Sequence, residues 1–392
     1  MKNKSRQNGV LYCVIGTLMF VFTVFYIAPN SGGAADRIIG EIVSNVSAGQ
    51  SVVKNMSSSK TNEKNGESAD TATAAAEPKN DSVAAPLLEN ETASGNDSAQ
   101  SEPGAPYETP DDIAAMSSEY ISAFSKTDPA GKVTECFFTN NGATASVGNI
   151  HIKNTTSKKP DFAALLKEGA KTGIKDISAP SVLIFHTHTT ESYLMADNGV
   201  FYSDYKTRST DPTRNMVRVG DEICCRLEEK GIGVIHDTNI YDDTYNGAYG
   251  RSRKTVLEYL EKYPTIKIVL DVHRDAVYTT DTDHLKPVCE INGKKAAQVM
   301  IITGADGGPV AQFDHWEENL KFALALQSRA QKEHEGLMKP VYFCNRRYNM
   351  DVTPCSLLLE FGSDANTLDE AVYAASLLGE SLAGLICDSA SK

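Results

Sequence analysis

From Ser181 onward, short uninterrupted apolar runs alternate with amphipathic segments, and this alternation limits the possible folds more than any other feature of the chain. Ser181–Phe185, Ile232–Ile235, Ile266–Val272, Gln298–Thr303 and Cys355–Phe361 read as strands. Pro212–Lys230, with Met216, Val219, Ile223 and Leu227 on one face, reads as a helix stopped by Gly231. Ser252–Tyr263 and His315–Glu335 read as helices too, and Thr367–Cys387 closes the chain behind the capping box Thr367-x-x-Glu370. Strands without polar alternation are buried on both faces, which calls for helices above and below a mostly parallel sheet. The expected fold class is therefore α/β, with a core spanning about 180–388 in a domain covering 111–392. Before the core, Asp111–Phe124 and Asp161–Lys171 predict helices, and Val133–Phe138 and Ala145–Ile152 predict strands.

The first hundred residues belong to a different regime. Residues 1–8 carry Lys2, Lys4 and Arg6 and no acid, and the next twenty, Gly9–Ala28, carry no charge at all. Twenty uncharged, mostly apolar residues make a helix of about 30 Å, one bilayer core, and the flanking cations keep the N-terminus inside. The expected layout is a cytoplasmic tail (1–8), a transmembrane anchor (9–28), a disordered extracytoplasmic linker (29–110) and then the folded domain. The linker lacks Phe, Trp and Tyr up to Pro106, and residues 29–112 hold 14 acids against 5 bases. Such a segment buries too little apolar surface to offset its ordering entropy. With a net charge of -13 and no basic block beyond the first eight residues, the chain is not expected to bind nucleic acid. The eight cysteines form no C-x-x-C pair and read as small buried apolar residues.

In an open parallel sheet, ligands bind beyond the carboxyl ends of the strands. The first strand ends in His186-Thr-His188-Thr-Thr-Glu191, the second in His236-Asp237 and the third in Asp271-Val-His273-Arg274-Asp275; the last carries Glu360 behind three leucines. His188-x-x-Glu191 presents an imidazole and a carboxylate together if the chain turns there, and His273 supplies a second nitrogen. Two histidines and a carboxylate, with a fourth position left to water, is the composition of many catalytic zinc sites. Glu360 is costly to bury unless it is paired or functional, and suits general acid–base work. His186 and His188 are two apart, so an extended strand would turn both to one side. A paired H-x-H also opens amidohydrolase barrels, but too little chain follows for eight strand–helix units. Arg274, Asn345 and Arg346 are candidates to hold substrate carboxylates, and His236 to line the cleft.

Taken together, VLIFHTHTTESY (182–193), DVHRDA (271–276) and LLLEFGSDANT (357–367) resemble the stage II sporulation protein P family, itself similar to zinc-dependent N-acetylmuramoyl-L-alanine amidases with a three-layer αβα fold. The resemblance runs in matching order over roughly 110–388. It implies hydrolysis of peptidoglycan at the amide between N-acetylmuramic acid and L-alanine, with endopeptidase action on cross-links, during engulfment and alongside stage II sporulation proteins D and M. It implies Zn2+ held by His188, Glu191 and His273, with Glu360 as the catalytic carboxylate. Related amidases place Gly-His where this chain has His186-Thr-His188; aligning strand ends makes His188 the ligand and leaves His186 beside the chemistry, with the reverse assignment open. It also implies a domain outside the cell membrane on a single-pass anchor. The competing reading is an inert cell-wall-binding scaffold of the same fold, against which intact His188, His273 and Glu360 count.

Overall fold

Every strand expected from Ser181 onward forms, and all of them join one sheet. The computed structural model describes residues 107–124, 128–203 and 205–390; the anchor expected at 9–28 and the linker up to residue 106 lie outside the described residues. In chain order the elements are α1 (Asp111–Phe124), β1 (Pro129–Cys136), β2 (Ala145–Val147), β3 (Ile150–Asn154), α2 (Phe162–Glu168), β4 (Pro180–Phe185), β5 (Val200–Tyr202), α3 (Met216–Glu228), β6 (Gly233–His236), α4 (Ala248–Lys262), β7 (Ile268–Asp275), β8 (Tyr278–Thr280), β9 (Asp283–Ile291), β10 (Lys294–Ala297), β11 (Val299–Gly304), α5 (Trp316–Glu333), β12 (Val341–Cys344), β13 (Cys355–Ser363) and α6 (Leu368–Ala390). The main sheet runs β2-β3-β12-β11-β13-β7-β4-β6. β6, β4, β7 and β13 are parallel to one another; β11 pairs antiparallel with β13 and reverses the direction for β12 and β3.

Alternation along the strands assigns the layers. Ile184, Leu270, Leu357, Leu359 and Ile301 face α3, α5 and α6 in the main core. Leu183, Phe185 and Val269 face the other way, onto Val256 of α4, and Met300, Ile302 and Leu358 are covered there by Val310, Phe313 and Met350 from loops. The domain is thus three-layered, with one thick helical layer and one thin layer of a single helix plus loops. α6 is apolar and long enough to cross a membrane by composition, but 78% of its apolar window is buried inside the domain; it is the central core helix. Its capping box forms as expected, with Glu370 N–H donating to Thr367 Oγ1 at 3.2 Å and Thr367 N–H to Glu370 Oε2 at 3.1 Å.

Local chemistry moved several boundaries. α3 starts at Met216, not Pro212, because Asp211 takes the Thr213 N–H in its own turn and Asn215 caps the helix by accepting from Val217 N–H at 2.9 Å. The strand expected at 145–152 is a hairpin turned at Gly148, whose φ is +59°. Tyr107, ahead of the expected boundary at 111, already packs on the domain: its ring stacks on Tyr373 of α6 at 4.3 Å. A second sheet, β10-β9-β1-β5 with β8 on β9, has no counterpart in the sequence pattern apart from part of β1. Its long strand β9 carries Lys286, Pro287 and Glu290, which do not look like strand residues. Lys286 is fully buried there, and its ammonium lies 2.7–2.9 Å from Asp197, Glu135 and Glu370, tying β9 to the start of α6.

Candidate metal centre

β4 ends at Phe185, and residues 186–192 turn across the carboxyl ends of β4 and β7. In that turn Glu191 N–H donates to His188 O at 3.1 Å, and this curls residues 188 and 191 onto one side. Glu191 then stands between two imidazoles: its Oε1 lies 3.4 Å from His188 Nδ1 and its Oε2 3.4 Å from His273 Nδ1. All three side chains are buried, and one donor atom from each falls within 4.8 Å of the others. The sequence brought these three residues together as a ligand set, and they meet in the fold.

His273 is oriented by a neighbour on its own strand. Asp271, two residues earlier on the same strand face, accepts from His273 Nε2–H at 2.7 Å. That bond turns Nδ1 toward Glu191, the arrangement by which a carboxylate orients a histidine for a metal ion. Asp271 is itself held by Thr187, whose N–H donates at 2.8 Å and whose hydroxyl donates at 2.7 Å; Ser252 and Asn349 extend the network. The signal available in the sequence was D-x-H at period two within an apolar strand.

Electrostatics follow from burial and pairing. Burial pushes the Glu191 carboxyl up, but Arg274 and the two histidines outweigh it and hold the group well below the usual carboxylate range. Burial opposes the charged form of His273 as well, yet the Asp271 and Glu191 carboxylates raise it well above its ordinary value. Glu360 behaves oppositely. It is the register partner of His273 across the β7–β13 ladder and lies on the same sheet face. Burial, with Asp275 nearby, pushes it up to about 8, and its Oε2 is buried with no hydrogen-bond partner. Two imidazole nitrogens, a carboxylate and an adjacent orphaned carboxyl oxygen fit a divalent ion such as zinc with an open position.

The fold separates other candidate residues from this group. His186 lies on the opposite face, under α3, because alternation continues one residue past Phe185. It is fully buried, with Nδ1 donating to Val272 O at 2.9 Å and Nε2 2.8 Å from His236 Nε2. Burial first, and then His236, hold it well below its ordinary value, so it is neutral and its Nε2 accepts from His236. His236 also meets Asp221 at 3.0 Å. Neither residue shares the face of the His–Glu–His group. Arg274 is buried, and its guanidinium is consumed by Ser192 O and Thr207 O at 3.1 and 2.6 Å. Asn345 donates to Asp306 O at 2.6 Å; Arg346 follows it at the end of β12, half-buried. Residues not anticipated do surround the group: Tyr245 stacks on His188 at 4.9 Å, Tyr249 meets the same ring edge-on at 5.5 Å, and Arg208 reaches Glu191 Oε1 at 3.5 Å.

The model of the stage II sporulation protein P family matches residues 36–383, nearly the whole chain. The chain belongs to this family. Stage II sporulation protein P of Bacillus subtilis (strain 168) is 30% identical over 275 residues, which cover 67% of this chain and 62% of that relative. Among solved structures, the N-acetylmuramoyl-L-alanine amidase AmiC2 of Nostoc punctiforme matches with a TM-score of 0.34 at 12% identity, over 54% of this chain and 98% of its own. The CwlD amidase from Clostridioides difficile, solved in complex with the GerS lipoprotein, matches with a TM-score of 0.35 at 11% identity, over 54% and 98%. Scores this low carry no weight for the site, whose reading stands on the side-chain geometry above and on family membership.

Proposed function

We propose that this chain is a zinc-dependent peptidoglycan hydrolase that cleaves the amide between N-acetylmuramic acid and the L-alanine of the stem peptide during sporulation. The observation that carries the reading is the convergence of His188, Glu191 and His273 beside the unpartnered oxygen of Glu360. His188 Nδ1, a Glu191 oxygen and His273 Nδ1 would hold the zinc. When bound, zinc supplies a Lewis acid for the scissile carbonyl and lowers the pKa of water toward about 7. Asp271, by accepting from Nε2–H, keeps the His273 ring turned so that Nδ1 faces the site. Burial holds Glu360 protonated in the metal-free protein; with a divalent ion beside it the carboxylate form is favoured, and it would take a proton from the attacking water and return it to the leaving nitrogen. His186 supports this centre from behind by holding the Val272 carbonyl, one residue before His273. Asn345 and Arg346 sit at the mouth of β12 and are proposed to contact the stem peptide. Endopeptidase action on cross-links uses the same parts. The proposal places the domain outside the cell membrane, acting at the engulfing septum with stage II sporulation proteins D and M.

The test is mass spectrometry of purified peptidoglycan digested by the zinc-loaded chain. Released stem peptides with a free L-alanine amine are expected. Peptidoglycan left intact by a protein shown to carry zinc would overturn the reading.

A further inference from the structure

Arg208 lies at the edge of the His–Glu–His group. Its Nη1 is bound by Asp242, a carboxylate with no exposed side-chain surface, and by Thr190 Oγ1 at 3.2 Å. Its Nη2 lies 3.5 Å from Glu191 Oε1. Its guanidinium lies over the Tyr245 ring, 5.4 Å from the centroid, and Tyr245 in turn stacks on His188. Asp242 also takes the Thr190 N–H and hydroxyl, at 3.1 and 2.7 Å, so the same carboxylate anchors the ligand-bearing turn and the arginine. The cation is therefore fixed before any substrate arrives. Yet 38% of its side chain is exposed, and its Nε–H has no acceptor among the described residues. Arg274, the other guanidinium against Glu191, is spent on backbone carbonyls and cannot serve.

We propose that Arg208 is a specificity-determining residue that binds a carboxylate of the substrate lying beyond the scissile amide. A divalent ion at the His–Glu–His group takes up the charge of Glu191. Arg208 is then left facing Asp242 alone with its outer edge open, and a rigid planar fork of this kind suits a carboxylate. The inference rests on the peptidoglycan reading for the identity of the substrate: a stem peptide that carries a free carboxylate close to the scissile amide. The same peptide with that group as a carboxamide is the poor partner, because it offers the fork a neutral oxygen.

The experiment compares two synthetic muropeptides, one with the carboxylate and one with the carboxamide, on the zinc-loaded full chain. Wild type is expected to favour the acid by about 10-fold to 100-fold in kcat/KM, mostly through KM. In Arg208→Gln the ratio should collapse toward one while zinc content, measured by atomic absorption, is kept. A wild-type ratio near one, or an unchanged ratio in the variant, overturns the proposal. If Arg208→Gln fails to fold, Arg208→Lys decides, since an ammonium lacks the fork: the ratio should fall several-fold, and an unaltered ratio overturns the proposal. If wild type cleaves neither compound, the hydrolase reading fails, and calorimetric binding of the two peptides judges Arg208 by the same ratio.

Discussion

Replacing Glu360 with Gln in the metal-free protein should change how stability responds to pH. The folded environment raises this carboxyl from an ordinary 4.5 to about 8, through burial and then the neighbouring Asp275. Its neutral form is therefore preferred in the folded state. The associated stability is fully present below pH 4.5, where both states are protonated, and is lost as pH rises through 8, where the folded state must carry a buried charge. At about 1.4 kcal/mol per pH unit over that interval, the loss amounts to about 5 kcal/mol. Gln cannot ionise, so the variant lacks this slope. Groups common to both proteins cancel to first order. The Gln amide replaces an oxygen that already lacks a partner with an NH2 carrying two donors, and the extra unmet donor costs about 1–3 kcal/mol at all pH values. Wild type should thus be the more stable protein at pH 4.5 and the less stable one above pH 8. The assay is urea unfolding of residues 107–392 in EDTA at four values between pH 4.5 and 8.5. Parallel stability curves for the two proteins would refute the argument, because they would mean Glu360 ionises equally easily folded and unfolded. Zinc should flatten the wild-type slope, since a nearby divalent ion favours the carboxylate.

Asp271→Asn should weaken zinc binding by about 10-fold to 100-fold, measured by competition with a chelating dye, while the far-UV spectrum stays that of wild type; unchanged affinity would remove Asp271 from the site. Gly220→Ala should destabilise by about 1–3 kcal/mol in urea unfolding, because the new methyl would sit 2.5 Å from His236 Nε2 and 2.8 Å from His186 Nε2. If that variant is as stable as wild type, the buried histidine pair has room the geometry denies it. Thr367→Ala should cost about 1 kcal/mol by removing half of the capping box of α6, read as a lower unfolding midpoint at unchanged slope.

Local order carried the sequence a long way. The apolar strands from Ser181 onward, the helix at Asp111–Phe124 and the box at Thr367 and Glu370 depend on neighbours within a few residues, and they appear where periodicity and capping put them. The convergence of His188, Glu191, His273 and Glu360 was legible for a related reason: parallel strands deliver their carboxyl ends to one edge, so these residues had one place to meet. What remained hidden depends on partners far apart in the chain. β9 is a strand because β1, about 150 residues earlier, pairs with it and because Asp197, Glu135 and Glu370 neutralise its buried lysine. The reversal between β13 and β11 leaves no local mark, since an apolar strand reads alike in either direction. An extended strand would put His186 and His188 on one side; β4 ends at Phe185, and the turn that follows sends His186 beneath α3 and His188 to Glu191 and His273. Arg208 is an ordinary surface arginine in sequence, and only its closure onto Glu191 and Asp242 gives it a role. Periodicity is a property of short segments and survives in one dimension, whereas pairing direction, side-chain facing at strand ends and charge compensation are settled only when distant segments meet.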